Sequence, residues 1–344
     1  MEEALVPKAG YRLEVMPAFG LERSFSPAAI RNNFRAVKSA VSAVGKCKKI
    51  IKAFKADVVV GTGGYASFPA LLAAKQLKLP TCVHEANAMP GLTTRLAAGW
   101  VDKVLVCFPE SAKHYRHPEK VEVVGMPVRR EFIYTQKADA RKELGLDERP
   151  LVVSAFGSQG AKAMNEMTAK LFALEQKAGF PFRHIHAVGS YGWSWMPEYV
   201  KEQGVDLAKC PSITMQEYIY NMPTVMAAAD VIISRAGASS CSEIAASGTP
   251  CVLIPSPNVT DNHQEKNARA LESQGGAVVI LEKDCTPQRL YQGITSLLGD
   301  ADRYSTMRKA LYGISVPDSA ERLCTVMEQL AKKKEKHNGN QGKK

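Results

Sequence analysis

The sequence predicts an α/β protein built from two doubly wound parallel-sheet domains that face each other across a cleft. Short runs rich in β-branched residues alternate with helical periodicity along almost the whole chain, the pattern of parallel βαβ units. A strand followed by a glycine-rich turn and a helix occurs at 58–64 and again at 151–160. The 344 residues suffice for two cores of ordinary size.

The expected elements follow the chain from its start. The strands are Arg12–Met16, Asp57–Gly61, Leu79–His84, Lys103–Cys107, Leu151–Phe156, Arg183–Val188, Asp230–Ser234, Pro250–Pro255 and Ala277–Leu281. The helices include Phe68–Lys78, Ala161–Lys177, Ser240–Ser247, Gln264–Ser273 and Ser319–Lys333. The segment GMPVRREF at 125–132 has the proline and charges of a connector. These features predict domains at 1–130 and 131–318, a helix at 319–330 and a disordered basic tail at 331–344.

Composition narrows the class of protein. Hydrophobic residues make up 45% and charged residues 23%, as in globular proteins. The net charge of +11 is partly carried by the tail, where six Lys face one Glu. No aromatic residues interleave those lysines, so an anionic membrane surface is a better candidate partner than nucleic acid. The eight cysteines are scattered singly, which predicts a reducing compartment and no disulfide framework.

The first glycine loop resembles a cofactor loop. Its spacing Gly61-x-Gly63-x-x-Ala66 nearly matches the dinucleotide fingerprint, and Glu85 follows at about the ~20 residues expected for a ribose-binding acid. A nicotinamide enzyme is therefore the first interpretation. A nucleoside-triphosphate loop is disfavoured because no Lys-Ser/Thr follows the glycines.

A second constellation lies in the segment RAGASSCSE at 235–243. A buried strand delivers Arg235 to its carboxyl end, and Ser239 or Ser240 is expected to cap a helix whose free N–H groups can hold a diphosphate. Glu243, expected in the first turn, could accept bonds from ribose hydroxyls. The alternative is an ordinary helix cap, Ser239-x-x-Ser242.

Three further groups of polar residues follow predicted strands or open helices. They are Ser158 in GSQG, the trio His84, Glu85 and Asn87, and the helix start with His263, Gln264 and Asn267. The pair His184 and His186 lies on one face of a predicted strand without a third ligand, so packing is favoured over zinc and no metal site is expected.

Taken in order, these segments resemble the MurG family, the peptidoglycan N-acetylglucosaminyltransferases of bacteria. The matching stretches are VVVGTGGYASFPA, HEANAMPGLTTRLAA, VGMPVRREF, AFGSQGAKAMNE, YIYNMPTVMAAADVIISRAGASSCSEIAASGTP and the NHQEKNA run. The resemblance implies a GT-B fold and transfer of N-acetylglucosamine from UDP-GlcNAc to lipid I, with inversion, giving lipid II for the cell wall. It also implies a peripheral enzyme on the cytoplasmic side of the cell membrane, without cofactor or catalytic metal.

The resemblance also assigns roles to residues. Asn87 and Gln264 would contact the donor sugar, Arg129 and Ser158 the diphosphate, and Ile219 the uracil through its backbone. The helix start would hold phosphate and ribose through Ala238, Ser239, Ser240, Cys241, Ser242 and Glu243. The first glycine loop would then face the acceptor diphosphate instead of a cofactor, through Gly61, Thr62, Gly63, Gly64 and Tyr65.

The chain departs from the family pattern in three places. Met126 replaces the amide of GNPVR, and Phe156 stands where a glycine is typical. The family's opening strand and GGTGGH-like loop, about 35 residues, have no counterpart, which would remove a central strand of the first sheet. The family's favoured catalytic histidine lies in that loop. The resemblance therefore implies an incomplete N-terminal domain, and the catalytic base stays unassigned.

An amphipathic segment at 26–49 is a candidate membrane contact. Ile30 and Phe34 recur at helical spacing beside Arg31, Arg35 and Lys38. The alternative is a helix that covers the core of its own domain.

Three other functions compete with the MurG-like one. The first is a related UDP-sugar:lipid glycosyltransferase, and the second is a truncated, catalytically impaired UDP-sugar-binding protein. The dehydrogenase ranks last because it leaves RAGASSCSE and NHQEK unexplained.

Overall fold

The computed structural model describes residues 2–16 and 42–341, which form two parallel sheets. The N-terminal sheet has the order β1-β2-β3-β4. Its strands are β1 (Val59–Gly61), β2 (Thr81–Glu85), β3 (Lys103–Val106) and β4 (Val121–Val123). Its helices are α1 (Glu2–Lys8), α2 (described over 42–54), α3 (Gly64–Gln76) and α4 (Leu92–Ala98).

The C-terminal sheet has six parallel strands in the order β10-β9-β8-β5-β6-β7. These are β5 (Leu151–Ala155), β6 (Arg183–Ala187), β7 (Ile213–Gln216), β8 (Val231–Ser234), β9 (Cys251–Leu253) and β10 (Val278–Val279). The helices are α5 (Glu131–Tyr134), α6 (Lys137–Glu143), α7 (Lys162–Lys177), α8 (Met196–Glu202), α9 (Met222–Ala228), α10 (Ala238–Ser247), α11 (His263–Ser273), α12 (Pro287–Leu298), α13 (Ala301–Ile314) and α14 (Ser319–Gln341). The chain order reverses between β5 and β8, so this sheet is doubly wound with a switch point there.

The last helix returns to the first domain. Val326 and Leu330 of α14 are buried against Cys82 and Leu105 of the N-terminal sheet and against Val124, which directly follows β4. The predicted disordered tail from residue 331 is corrected, because α14 continues to Gln341. Residues 331–336, AKKKEK, have high helix propensity, and a helix anchored by packing extends readily through them, whereas Gly339 and its neighbouring asparagines do not favour it.

The predicted strands differ from the observed ones at three places. Residues 12–16 form no strand; Met16 instead packs on α2, with its sulfur 3.8 Å from that of Cys47. A run of suitable residues becomes a strand only where a neighbour can pair with it. The sequence does not predict β4 and β7, because these strands have only three and four residues and neither is a continuous apolar run.

The proposed membrane contact falls mostly outside the described residues, which exclude Ile30, Arg31, Phe34, Arg35 and Lys38. Its described part belongs to α2, where Ala43 and Cys47 are buried. That part covers the core of its own domain, as in the alternative interpretation. Across residues 2–16 and 42–341, no helix has both the length and the apolar character needed to cross a bilayer.

Candidate functional site

A cavity of about 250 Å³ opens at the switch point of the C-terminal sheet. The carboxyl ends of β5 and β8 border it, which is where open α/β sheets bind ligands. Its walls come from the connector, the loops after β5 and β7, and α10. The residues that line it include Arg129, Phe132, Ser158, Tyr218, Ile219, Ser240 and Glu243.

Helix α10 begins at this cavity without a side-chain cap. The N-cap residue is Gly237, so the prediction that Ser239 or Ser240 caps the helix is wrong. The first intrahelical bond runs from the Cys241 N–H to the Gly237 carbonyl, at 2.9 Å. The preceding N–H groups, of Ala238, Ser239 and Ser240, therefore have no helical acceptor. Such an uncapped end, at the positive pole of the helix dipole, suits an anion such as a diphosphate.

Helical spacing divides the predicted run Ala238–Glu243 between two sides. Ser240 and Glu243 line the 250 Å³ cavity, whereas Cys241 and Ser242 line a second cavity of about 320 Å³ between the domains. The side chains of Cys241 and Ser242 therefore do not face the 250 Å³ cavity, and the Ser242 hydroxyl donates to the Ala238 carbonyl. Glu243 is the sixth residue of the helix, so it lies in the second turn and not in the first as predicted.

Arg129, Glu217 and Glu243 are the charged side chains that line the cavity. Burial raises the pKa of the Glu243 carboxyl, and the positive charge of Arg129 opposes that shift. The Arg129 guanidinium lies over the Phe132 ring, 5.1 Å from its centroid. Arg129 is exposed at the cavity mouth, where its charge adds to that of the α10 N-terminus.

The loop after β5 brings backbone and a hydroxyl to the cavity. Ser158 is exposed and lines it, next to Gly157 with a φ of 91°. Phe156, the departure from the family pattern, is buried, with its ring 6.0 Å from that of His186. The bulky side chain therefore packs into the core and leaves the cavity open.

The loop after β7 supplies one wall of the 250 Å³ cavity, of which the sequence predicts only Ile219. Ile219, predicted from the family resemblance, is buried there, and Glu217, Tyr218 and Met222 line the cavity beside it. The signal that could have found them is the strand β7, whose carboxyl end is at Gln216.

The loop after β2 is organised by Glu85. Its carboxylate accepts bonds from the Asn87 N–H and Asn87 Nδ2, both at 3.1 Å, and from the Gly91 N–H at 3.2 Å. Glu85 is only 3% exposed. It therefore fixes its own loop and is not placed to bind a cofactor ribose, which removes the acid from the nicotinamide interpretation.

His84 is also committed to the protein. Its Nε2 lies 2.8 Å from the Gly125 carbonyl oxygen, which can only accept, so Nε2 carries the proton. Burial lowers the pKa of His84, which keeps the ring neutral. The ring is only 6% exposed, so it is not placed to act as a base in the cleft.

Asn87 lies in the loop after β2 and Gln264 in the first turn of α11, and neither lines the 250 Å³ cavity. The Gln264 Oε1 accepts from the Ser256 N–H at 2.8 Å, and the Asn87 Oδ1 accepts from Asn267 Nδ2 at 3.2 Å. The Asn267 contact brings the edges of the two sheets together across the cleft.

The first glycine loop forms a second uncapped helix start. Gly63, with a φ of 81°, is the N-cap of α3, and Gly64 follows with a φ of 69°. Gly61 packs so closely on Leu71 that an added Cβ would lie 2.6 Å from its Cδ1. Thr62 and Tyr65 are exposed at this helix start. Its free N–H groups suit a second anion.

The two strand histidines belong to the core. Ser154 Oγ lies 2.8 Å from His184 Nε2 and 2.7 Å from His186 Nδ1, and His184 Nδ1 lies 2.8 Å from Glu175. The connectivity is that of a catalytic triad, but all four residues are 0% exposed and no substrate can reach them. Within the described ranges, no cluster of His, Cys, Asp or Glu is placed to hold a metal ion.

Two family models match the chain. Residues 151–323 match the glycosyltransferase family 28 C-terminal domain, and residues 1–106 match the N-terminal domain of the same family.

Relatives of known name match over nearly the whole chain. A UDP-N-acetylglucosamine–N-acetylmuramyl-(pentapeptide) pyrophosphoryl-undecaprenol N-acetylglucosamine transferase from Acetivibrio thermocellus is 39% identical over 335 residues, which are 97% of this chain and 88% of the relative. The protein of the same name from Caldanaerobacter subterraneus is 38% identical, over 96% and 88%.

Solved structures show the same fold. The crystal structure of MurG from Acinetobacter baumannii superposes with a TM-score of 0.72 at 24% identity, over 96% of this chain and 88% of that one. A UDP-GlcNAc 2-epimerase from Neisseria meningitidis, bound to UDP-GlcNAc, superposes with a TM-score of 0.62 at 14% identity, over 85% and 81%. The architecture is therefore that of a GT-B glycosyltransferase.

Proposed function

Because the chain belongs to the MurG group of glycosyltransferase family 28, we propose that it transfers N-acetylglucosamine from UDP-GlcNAc to lipid I, giving lipid II and UDP. The observation that carries the proposal is 39% identity over 97% of the chain to a transferase of that name. The switch-point cavity with its uncapped helix supplies a matching donor site. The step belongs to peptidoglycan synthesis.

The donor nucleotide is proposed to lie in the 250 Å³ cavity. The N–H groups at the start of α10, Ser158 and Arg129 would hold the diphosphate, the backbone at Ile219 the uracil, and Glu243 the ribose. A ribose hydroxyl that donates to Glu243 would replace the hydrogen bonds from water that the carboxylate loses on burial. Gln264 keeps its Nε2 for the sugar hydroxyls while its Oε1 holds Ser256.

The reaction is proposed to be a single inverting displacement. The acceptor oxygen bonds to the anomeric carbon while the bond from that carbon to the UDP oxygen breaks; the hydroxyl proton passes to solvent, and negative charge grows on the departing diphosphate. The positive end of α10 and the Arg129 guanidinium stabilise that charge where it develops. Neither His84 nor Glu85 is proposed as the base, because both are held by buried hydrogen bonds.

The acceptor is proposed to bind at the N-terminal domain. The start of α3 at Gly63 and Gly64 would hold the diphosphate of lipid I, with Thr62 and Tyr65 at its edge. Thr94 Oγ1 is buried without a partner among the described residues, and an added Gly63 Cβ would lie 3.7 Å from it. A hydroxyl there could support the same loop.

Access to lipid I requires a peripheral position on the cytoplasmic face of the membrane. The net charge of +11 and the exposed Leu92 and Leu96, which flank Arg95 on α4, support binding to an anionic surface. Phe34→Asp should weaken binding to anionic vesicles in flotation assays without unfolding the protein. Unchanged flotation would remove the 26–49 segment from membrane binding.

The proposed function is tested by transfer of labelled sugar from UDP-GlcNAc to lipid I in detergent micelles. Formation of lipid II is expected, with UDP-glucose a poor donor. Transfer from another UDP-sugar in preference would favour a related lipid glycosyltransferase. Binding of UDP-GlcNAc without any transfer would favour the non-catalytic sugar-binding protein.

A further inference from the structure

One side chain joins the two domains at the candidate site. Asn267, on α11 of the C-terminal domain, is fully buried. Its Oδ1 accepts from the Ala88 N–H at 2.9 Å, and its Nδ2 donates to Asn87 Oδ1 at 3.2 Å and to the Ala236 carbonyl at 3.1 Å. The amide thus bonds the loop after β2 and the end of β8 at the same time.

The two segments that Asn267 joins are those assigned to the two halves of the donor. Asn87 lies in the loop proposed to contact the sugar, and Glu85 already holds that loop at three points. Ala236 directly precedes Gly237, the N-cap of the helix proposed to hold the diphosphate. Asn267 therefore links the sugar-facing loop of one domain to the phosphate-facing helix of the other.

The geometry requires an amide at this position. One acceptor and two donated bonds use the oxygen and the nitrogen of the side chain together. Aspartate would lose both donated bonds, and an aliphatic residue would leave buried polar groups of both domains without partners.

We propose that Asn267 is a positioning residue of the transferase, which sets the donor sugar relative to the diphosphate by fixing Asn87 against the start of α10. This inference rests on the proposed function. The uracil, ribose and diphosphate contacts all come from the C-terminal domain or the connector, so they do not depend on the bonds from Asn267 to Asn87 and Ala88. The orientation of the sugar at the reacting carbon does depend on those bonds.

The test compares Asn267→Leu with the wild-type chain. The leucine variant should lose kcat by about 10- to 100-fold, because small misplacements near the chemistry have costs of this size. Its affinity for UDP should change by less than about threefold, since an interaction needed for orientation alone affects kcat more than binding. Amide hydrogen exchange should show loss of protection at Ala88, while the amides of β2 stay protected.

A matched control removes a different bond between the domains. Gln274 follows the same helix and donates to Glu110 at 3.0 Å, away from the donor site. Gln274→Ala should keep the wild-type kcat and the protection of Ala88. If Asn267→Leu does not fold, Asn267→Ala leaves room for water beside Ala88 and Ala236 and is measured in the same way.

The outcomes separate this inference from the proposed function. Unchanged kcat in an Asn267 variant, unchanged protection of Ala88, or a parallel loss of UDP affinity would each overturn the positioning role. A wild-type chain that binds UDP but transfers no sugar would contradict the proposed function and the positioning role with it. Hydrogen exchange at Ala88 would still show whether the contact exists.

Discussion

A charge placed at the start of α10 tests the diphosphate assignment with opposite effects on stability and binding. Ser240 is the third residue of the helix, and it lines the cavity. Ser240→Asp introduces a carboxylate where the diphosphate is proposed to bind. Ser240→Asn introduces a side chain of the same size without the charge, and it serves as the control.

The expected magnitude follows from the position of Ser240. Two unit charges about 4 Å apart interact by ~4 kcal/mol at an effective dielectric constant of about 20. Since ~1.4 kcal/mol corresponds to a tenfold change, the Asp variant should bind UDP about 1000-fold more weakly than the Asn variant. The same carboxylate interacts favourably with the helix dipole, so the free energy of unfolding should rise by about 0.3–1 kcal/mol.

The assay pairs calorimetric titration with UDP and urea unfolding of the same two proteins. Equal UDP affinity of the Asp and Asn variants would refute the assignment of the diphosphate to α10. Weaker binding together with lower stability of the Asp variant would attribute the loss to structural damage, and would equally contradict the reasoning.

Three further predictions concern single residues. Arg129→Ala should weaken UDP binding by about 10- to 100-fold, the usual size of a lost bond to a charged group, with little change in stability, as calorimetry and urea unfolding would show. Gly160→Ala should destabilise the protein in urea by more than Gly145→Ala, because both have positive φ but only at Gly160 would the new Cβ overlap a backbone oxygen, that of Val188. Burial lowers the pKa of His186 to about 3, against ~6.5 in the unfolded chain. Between those values the unfolded chain binds more protons, so the free energy of unfolding should fall by up to ~1.4 kcal/mol per unit as the pH drops from 6.5, and His186→Phe should flatten that slope.

The sequence predicts the alternating architecture because parallel strands are buried on both faces and read as continuous apolar runs. Val231–Ser234 and Leu151–Ala155 are such strands, and the structure pairs them at the switch point. The strand order is not visible in the sequence, since it depends on which runs pair across large separations along the chain.

The candidate site was predictable where one residue type acts locally, and less so where several elements meet. The glycine turns and the presence of a helix at RAGASSCSE follow from residue types alone. The division of Ser240 from Cys241 between two cavities depends on helix phase, which a shift of two residues in the expected helix start obscured. The role of Glu85 depends on a loop folding back on its own carboxylate, which spacing alone does not reveal.

The hydrogen bonds of Asn267 between the two domains are a further feature that residue spacing does not reveal. The sequence indicates a polar start for the helix that carries Asn267, but its partners Asn87, Ala88 and Ala236 lie in other segments of the chain. The role of this amide becomes visible only in the structure, where the two domains are in contact.

The most direct test of the donor site is calorimetric titration of the full chain with UDP-GlcNAc, with UDP-glucose as the comparison. Binding of UDP-GlcNAc to one site is expected, with clear preference over UDP-glucose, and Ser240→Asp should lose that binding. A folded chain that binds neither nucleotide sugar would contradict the assignment of the switch-point cavity to the donor, and with it the proposed function.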